Sequence, residues 1–117
     1  NFKIIPNMLS IDFLSLMSCA DLMIGNSSAA IREAPSFNLR AINIGSRQQG
    51  RLRAKNIIDV NHNEKEIVAA ITRGLKSKNK LYNIKNPYGN GDSSKKIVDI
   101  LEKIRLNQIS IQKEMTY

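Results

Sequence analysis

Residues 21–28, Asp-Leu-Met-Ile-Gly-Asn-Ser-Ser, decide the fold, because a short apolar run ends there on a glycine and passes directly into a helix-capping sequence. The run Asp21–Gly25 predicts a buried strand. Residues Ser27–Phe37 predict a helix that Pro35 interrupts near its end. A strand followed at once by a helix is the unit from which parallel sheets with helices on their faces are built.

The segments on either side repeat this order. Helical spacing of apolar residues begins at Ser10, again after the Asn63/Glu66 capping-box pair, and finally at Ser93 or Ser94. Three further apolar runs predict strands at Phe2–Pro6, Ala41–Ile44 and Asn56–Val60. We therefore expect an α/β, Rossmann-like parallel sheet of four strands, closer to half a domain than to a whole one. Residues 1–92 would form this partial domain and residues 93–117 a C-terminal helix.

Composition and charge narrow the class of protein. The 117 residues suffice for one small domain, and no apolar run is long enough for a membrane span. The single Cys19 is most simply a buried small residue in a reducing, cytoplasmic protein. The chain begins with Asn1 rather than Met, so we expect it to be a piece of a longer protein.

The net charge of +8 lies wholly in residues 46–117, which hold fifteen basic and seven acidic side chains. Such a surface suits nucleic acid, an anionic membrane or a phosphorylated ligand, and a solvated lysine-rich face is the simpler alternative. The low aromatic content of 5% leaves few side chains on which bases of single-stranded nucleic acid can stack.

The turn Gly25-Asn26-Ser27-Ser28 is the first candidate site. Ligands of parallel α/β sheets lie outside the carboxyl ends of the strands, and this turn follows such an end. Backbone N–H groups and the two hydroxyls would face an anion there, most naturally a phosphate. Plain helix capping by Asn26 or Ser27 is the competing interpretation.

Glu33 and the next strand end extend this candidate site. Glu33 lies about as far along the helix from the Gly25–Ser28 turn as the ribose of a nucleotide lies from its diphosphate. A carboxylate there would accept hydrogen bonds from both hydroxyls of the ribose. Alternatively, it is a surface residue beside Arg32 or Lys3. Gly45, Arg47 and Arg51 follow the strand Ala41–Ile44, where arginines are suited to clamp diphosphate oxygens or simply belong to a basic surface loop.

Other chemistries find little support in the sequence. His62, the single histidine, precedes a helix, where a turn or capping role is the simpler interpretation, and it has no Ser–His–acid partners at recognisable spacing. One Cys and one His do not make a zinc site, and the phosphate-binding Gly-x-x-x-x-Gly-Lys-Ser/Thr motif does not occur.

Three motifs in order resemble the hydrolysing UDP-N-acetylglucosamine 2-epimerases of sialic and nonulosonic acid synthesis. They are Gly-Asn-Ser-Ser-x-x-Ile-Arg-Glu-Ala-Pro-Ser-Phe at 25–37, Ile-Asn-Ile-Gly-x-Arg-Gln-x-Gly-Arg at 42–51 and Asn-Pro-Tyr-Gly-x-Gly at 86–91. The resemblance spans about residues 2–104. The family usually has glycine where this chain has Ala30, and a methyl group there would lie against a phosphate or between helix and sheet.

The resemblance implies a two-domain, glycosyltransferase-B-like enzyme, of which this chain is similar to the end of the C-terminal UDP-binding domain. Ser27 and Ser28 would then hold the diphosphate, Glu33 the ribose and Arg47 the phosphate side of the cleft. The family reaction eliminates UDP, adds water and releases N-acetylmannosamine, with no metal or nicotinamide cofactor. Its acid–base carboxylates lie mainly in the N-terminal domain, so no catalytic residue is expected in this chain.

The partners expected from this resemblance are a UDP-sugar, the N-terminal domain of the same enzyme and, at full length, further copies in a homo-oligomer. The sugar would be N-acetylglucosamine or a diacetylated bacillosamine. Two alternatives remain: the equivalent domain of a glycosyltransferase or non-hydrolysing epimerase, and a basic nucleic-acid-binding module.

Overall fold

A computed structural model describes residues 2–76 and 83–105 of the chain. Its centre is a parallel sheet with the strand order β1-β2-β3, formed by Met23–Gly25, Ala41–Ile44 and Ile57–Val60. Gly25 lies opposite Asn43 in the ladder, and Asn43 lies opposite Asp59. The predicted α/β class with a parallel sheet is confirmed. The carboxyl ends of all three strands consequently lie along one edge.

The predicted first strand, Phe2–Pro6, is wrong. These residues form no strand, and Phe2 and Ile4 are 90% and 76% exposed. Within the described part of the chain the sheet has three strands rather than four. An apolar run becomes a strand only when a neighbouring backbone pairs with it, and no described strand lies beside residues 2–6.

The helix predicted at Ser27–Phe37 is replaced by two single turns. Helix α2 covers only Ala29–Arg32, and a 3₁₀ helix follows at Ala34–Phe37. The break lies at Glu33, earlier than predicted, because Pro35 has no N–H and its ring would clash with the carbonyl of Ile31 in a continuous helix. Asn38 ends the 3₁₀ helix in the left-handed conformation, with φ of 52°.

The core lies between the sheet and these turns. Ile31 and Ile42 are completely buried, and Met17 of helix α1 (Ser10–Cys19) packs with Ala34 and Leu39. Other side chains of α1 are more exposed than predicted: Cys19 is exposed rather than buried. Ser10 begins α1 but does not cap it, since Leu9 is the N-cap.

The buried side-chain amide of Asn56 links α2 to the segment that leads into β2. Asn56, 1% exposed, donates from Nδ2 to the carbonyls of Leu39 at 2.9 Å and Ala30 at 3.3 Å. The turn that carries the candidate site is therefore anchored from beneath by a residue at the start of β3.

The two remaining helices are α3 (Glu64–Lys76) and α4 (Ser93–Lys103). Asn63 caps α3 as predicted, its Oδ1 accepting from the Glu66 N–H at 3.1 Å, whereas the Glu66 carboxylate accepts from Asn61 instead of Asn63. Asp92, not Ser93 or Ser94, is the N-cap of α4.

Helix α4 ends earlier than the predicted C-terminal helix, since Ile104 is already extended. No residue of α4 is buried, and its apolar positions Ile97, Ile100 and Leu101 are 56–63% exposed. The rest of the predicted helix from residue 106, including Ile111, lies outside the described residues. Among the helices that are described, none is long and apolar enough to cross a membrane.

Candidate functional site

The two predicted loops meet at the carboxyl edge of the sheet. Because β1 and β2 are parallel neighbours, the residues after Gly25 lie beside those after Ile44. Gln48 donates from Nε2 to the Asn26 carbonyl at 2.7 Å, and Arg47 reaches the same oxygen with Nη1 at 3.5 Å. The structure therefore brings the Asn26–Ser28 turn and the Gly45–Arg51 loop into contact, and we call the surface that they share with Glu33 the candidate cleft.

The Asn26–Ser28 turn offers hydrogen-bond donors to this cleft. Ser27 accepts from the Ala29 N–H through Oγ at 3.3 Å, and Ser28 is the N-cap of α2 but makes no side-chain cap bond. No acceptor among residues 2–76 and 83–105 pairs with the N–H groups of Ser27 and Ser28. Since α2 has only four residues, its dipole is small. An anion here would be held by individual N–H and O–H groups instead.

Glu33 lies between α2 and the 3₁₀ helix and is half-buried. Its Oε2 is buried and has no hydrogen-bond partner in the described part of the chain. The ion pair with Arg32 or Lys3 that a surface glutamate would form is not found, since the ion pair of the described residues joins Arg53 and Asp59. A buried acceptor without a partner costs free energy, and the buried amide oxygens of Asn43, Gln48 and Asn56 are in the same state within the described residues.

We call residues 45–51 the arginine loop. Arg53 holds this loop against the sheet, and the sequence did not single this residue out. Its Nε and Nη2 donate to the Asp59 carboxylate at 2.8 and 3.2 Å, and its Nη1 donates to the Arg51 carbonyl at 2.8 Å. Asp59 also accepts from the buried Asn43 at 2.7 Å. The side chains of Arg47 and Arg51 are exposed and lie outside this network, and apart from the long contact of Arg47 with the Asn26 carbonyl their guanidinium groups are available to an anion.

Gly45 is required by the backbone at the end of β2. Its φ is 75°, and a methyl group in place of its hydrogen would overlap the imidazole of His62. His62 therefore covers the turn between β2 and the arginine loop. This agrees with the turn role that was the simpler interpretation of His62 in the sequence. Its position against Gly45 was not visible in the sequence, because seventeen residues separate the two.

A cavity of about 370 Å³ opens beside the arginine loop, at the ends of β2 and β3. This size lies within the range of small-ligand sites. Its lining is formed by Gly45, Ser46, Gln49, Arg53, Asp59, Val60 and Asn61, so Gly45 is the one predicted site residue that borders it. No cluster of three or more potential metal ligands occurs within residues 2–76 and 83–105.

Comparison with known proteins decides the family. The sequence profile of the family described as UDP-N-acetylglucosamine 2-epimerase matches residues 1–102. The chain belongs to this family. It is 35% identical over 98% of its length to the UDP-N,N'-diacetylbacillosamine 2-epimerase (hydrolyzing) of Legionella pneumophila, and it covers 30% of that protein.

Two further members of the 2-epimerase family support the assignment. The UDP-N-acetylglucosamine 2-epimerase of Neisseria meningitidis is 46% identical over 50% of the chain and 16% of its own length. The solved UDP-GlcNAc 2-epimerase of Methanocaldococcus jannaschii superimposes with a TM-score of 0.66 at 29% identity, over 86% of this chain and 28% of that one. The chain thus spans less than a third of the proteins it matches.

Ala30, where the resemblance leads us to expect glycine, is buried, with 1% of its surface exposed. Its methyl group is therefore enclosed by protein and is not exposed to a ligand.

Gln48 is the residue of this 2-epimerase domain that sequence reasoning missed. It is 2% exposed, and its Oε1 is buried without a partner in the described part of the chain. Glutamine in a polar, arginine-rich loop suggests a solvated side chain. Only the adjacency of β1 and β2 places the Asn26 carbonyl within its reach.

Proposed function

We propose that this chain is the nucleotide-binding part of a hydrolysing UDP-sugar 2-epimerase and that its cleft holds UDP. The observation that carries the proposal is Glu33, whose buried and unpartnered Oε2 lies on the segment that begins with the Asn26–Ser28 turn. Glu33 lies five positions after Ser28 along mostly helical backbone, which is about 8 Å along the axis. This is close to the reach from a diphosphate to the ribose of the same nucleotide.

Each wall of the cleft would contact a different part of UDP. The N–H groups and hydroxyls of Ser27 and Ser28, with Asn26 beside them, would donate to the diphosphate. Arg47 and Arg51, presented by the turn at Gly45, would bind its outer oxygens as charged donors. Glu33 would accept from the ribose hydroxyls.

In the reaction, this chain would stabilise the leaving group. Breaking the bond between sugar C1 and the β-phosphate oxygen places negative charge on UDP, and pre-positioned donors lower the free energy of that charge in the transition state. The acid–base groups that remove the C2 proton and guide water would come from the N-terminal domain of the full-length enzyme. The proposal requires no metal or nicotinamide and assigns no catalytic residue to this chain.

The substrate that we propose first is UDP-N-acetylglucosamine, which would yield N-acetylmannosamine and UDP for sialic acid synthesis in the cytoplasm. UDP-N,N'-diacetylbacillosamine is the second candidate, because the Legionella and Campylobacter jejuni relatives carry that sugar in their names. Comparing kcat/KM of the full-length protein for the two sugars distinguishes them. We also propose that the full-length protein is a homo-oligomer, which sedimentation of the purified protein tests.

Calorimetric titration of the full-length protein with UDP, AMP and an RNA oligomer tests the nucleotide site. We expect UDP-selective binding that Glu33→Ala and Arg47→Ala each weaken by about tenfold or more, equivalent to 1.4 kcal/mol. Lys65→Ala, a charge removal on exposed α3, is the control and should leave the affinity unchanged. Salt-sensitive binding of RNA without preference for UDP would overturn the proposal in favour of a nucleic-acid module.

A further inference from the structure

The motif Asn-Pro-Tyr-Gly-x-Gly at 86–91 lies far along the chain from the cleft and has no role in the proposed contacts with UDP. In the structure, residues 84–88 nevertheless form hydrogen bonds with the segments on either side of the candidate site. The Ile84 N–H donates to Asn38 Oδ1 at 3.1 Å at one end, and the Tyr88 hydroxyl donates to the Leu52 carbonyl at 3.3 Å at the other. We call residues 84–88 the crossing segment.

Asn86, in the middle of the crossing segment, holds the backbone on both sides of Glu33. Its Nδ2 donates to the Arg32 carbonyl at 2.8 Å, and this carbonyl belongs to the peptide group that precedes Glu33. The second hydrogen of the same amide is donated to Ser36 Oγ, also at 2.8 Å. The Ser36 N–H in turn donates to the Glu33 carbonyl at 3.0 Å. The backbone before and after Glu33 is therefore held by hydrogen bonds that lead to the side-chain amide of Asn86.

The geometry of this amide leaves it little freedom. Its Oδ1 accepts from the Tyr88 N–H at 2.9 Å, so the carbonyl oxygen and both hydrogens of the side chain are all in use. The phenol of Tyr88 then connects the crossing segment to Leu52, the residue after Arg51. Gly89, with φ of 113°, turns the chain away directly afterwards.

We propose that Asn86 is a positioning residue that sets Glu33 for the ribose, and that Tyr88 fixes the distance between Glu33 and the arginine loop. The inference rests on the proposed function, because it concerns how the same UDP site is held. The diphosphate side does not depend on this segment, since Gln48 already joins the arginine loop to Asn26. The crossing segment thus sets the position of the ribose side relative to the arginine loop.

The test is a double-mutant cycle in the full-length protein, with Asn86→Asp, Glu33→Ala and their combination titrated with UDP. Asn86→Asp is almost isosteric, but it replaces two donors with a carboxylate oxygen that faces the Arg32 carbonyl. We expect it to raise the UDP dissociation constant about tenfold when Glu33 is present and less than about twofold when Glu33 is alanine, because coupled residues are non-additive. Loss of general stability would act equally in both backgrounds.

Asn90→Asp is the matched control, since Asn90 is exposed in the same loop and makes no side-chain hydrogen bond to another described residue. It adds the same charge and should leave the affinity for UDP unchanged. Tyr88→Phe removes one hydroxyl with minimal effect on folding and should weaken UDP binding by about threefold in the Glu33 background only.

Three outcomes overturn the inference, and they can be told apart. If the wild type does not bind UDP, or if Glu33→Ala does not weaken binding, the proposed function fails and the inference fails with it. If Glu33→Ala weakens binding and Asn86→Asp has no effect, only the inference is wrong. If Asn86→Asp costs the same affinity in both Glu33 backgrounds, Asn86 supports the fold and does not position Glu33.

Discussion

The side chain of Gln48 crosses from the loop after β2 to the turn after β1, where its Nε2 donates to the Asn26 carbonyl at 2.7 Å. This bond joins the two loops at the carboxyl edge of the sheet. Because Gln48 is only 2% exposed, water cannot readily replace the bond if it is lost.

Gln48→Ala should therefore lower both stability and affinity. We expect the free energy of unfolding to fall by about 1–3 kcal/mol, since the Asn26 carbonyl loses the donor of a part-buried hydrogen bond and a small cavity forms. The two walls of the cleft would separate more easily, and UDP binding should weaken. Urea unfolding and UDP titration measure the two effects. Gln49→Ala, an exposed neighbour, should change stability by less than about 0.5 kcal/mol, and equal losses in both variants would contradict this account.

Gly45→Ala tests the contact with His62. The left-handed backbone alone costs an alanine about 1–2 kcal/mol, and overlap with the imidazole adds to this. Gly50→Ala is the matched control, because Gly50 has φ of 77° and no heavy atom within 4 Å of the added methyl group. We expect Gly45→Ala to be the more destabilising variant in thermal unfolding. Adding His62→Ala should reduce its cost to that of Gly50→Ala, and no rescue would show that His62 does not confine Gly45.

Arg53 and Asp59 are the two charged residues of the hydrogen-bond network beneath the arginine loop. Replacing each of them with alanine should lower the free energy of unfolding by a different amount. Arg53→Ala should cost less than about 1 kcal/mol, because the side chains of the ion pair are 28% and 49% exposed and solvent screens them. Asp59→Ala should cost about 1–3 kcal/mol, since it also removes the nearer of the two acceptors of the buried Asn43 amide and leaves only the Gly45 carbonyl at 3.4 Å. Urea unfolding of both variants checks the order. A larger cost for Arg53→Ala would show that the ion pair, and not the amide, stabilises the loop.

Ala30→Gly introduces the residue that the sequence resemblance leads us to expect at this position. Glycine lowers helix stability by about 1 kcal/mol and removes a buried methyl group, so the melting temperature should fall. UDP affinity should not change, because the methyl group is buried and does not face the ligand. Calorimetry provides both measurements. Tighter UDP binding by Ala30→Gly would mean that this methyl group crowds the diphosphate after all.

Much of the fold follows from local sequence patterns. The runs at 23–25, 41–44 and 57–60 are β strands, and the helices at 10–19, 64–76 and 93–103 begin within one residue of their capping signals. The wrong strand at Phe2–Pro6 shares the apolar pattern of the others and differs only in having no described neighbour to pair with. The helix after Ser28 is too long in the prediction, because a proline affects the turn before it as well as its own position.

For the site, the sequence located the chemical groups and the tertiary structure arranged them. Asn26, Glu33 and Arg47 could be proposed from strand ends and motif order alone, since those properties are written along the chain. That Gln48 joins the two loops and that Asn86 brackets Glu33 depends on partners 22 and 54 residues away. Such pairs are set by the parallel register of β1 and β2 and by the course of the crossing segment. Hydrogen bonds between residues so far apart leave no periodic signal in the sequence, and only folding brings their atoms within 3 Å.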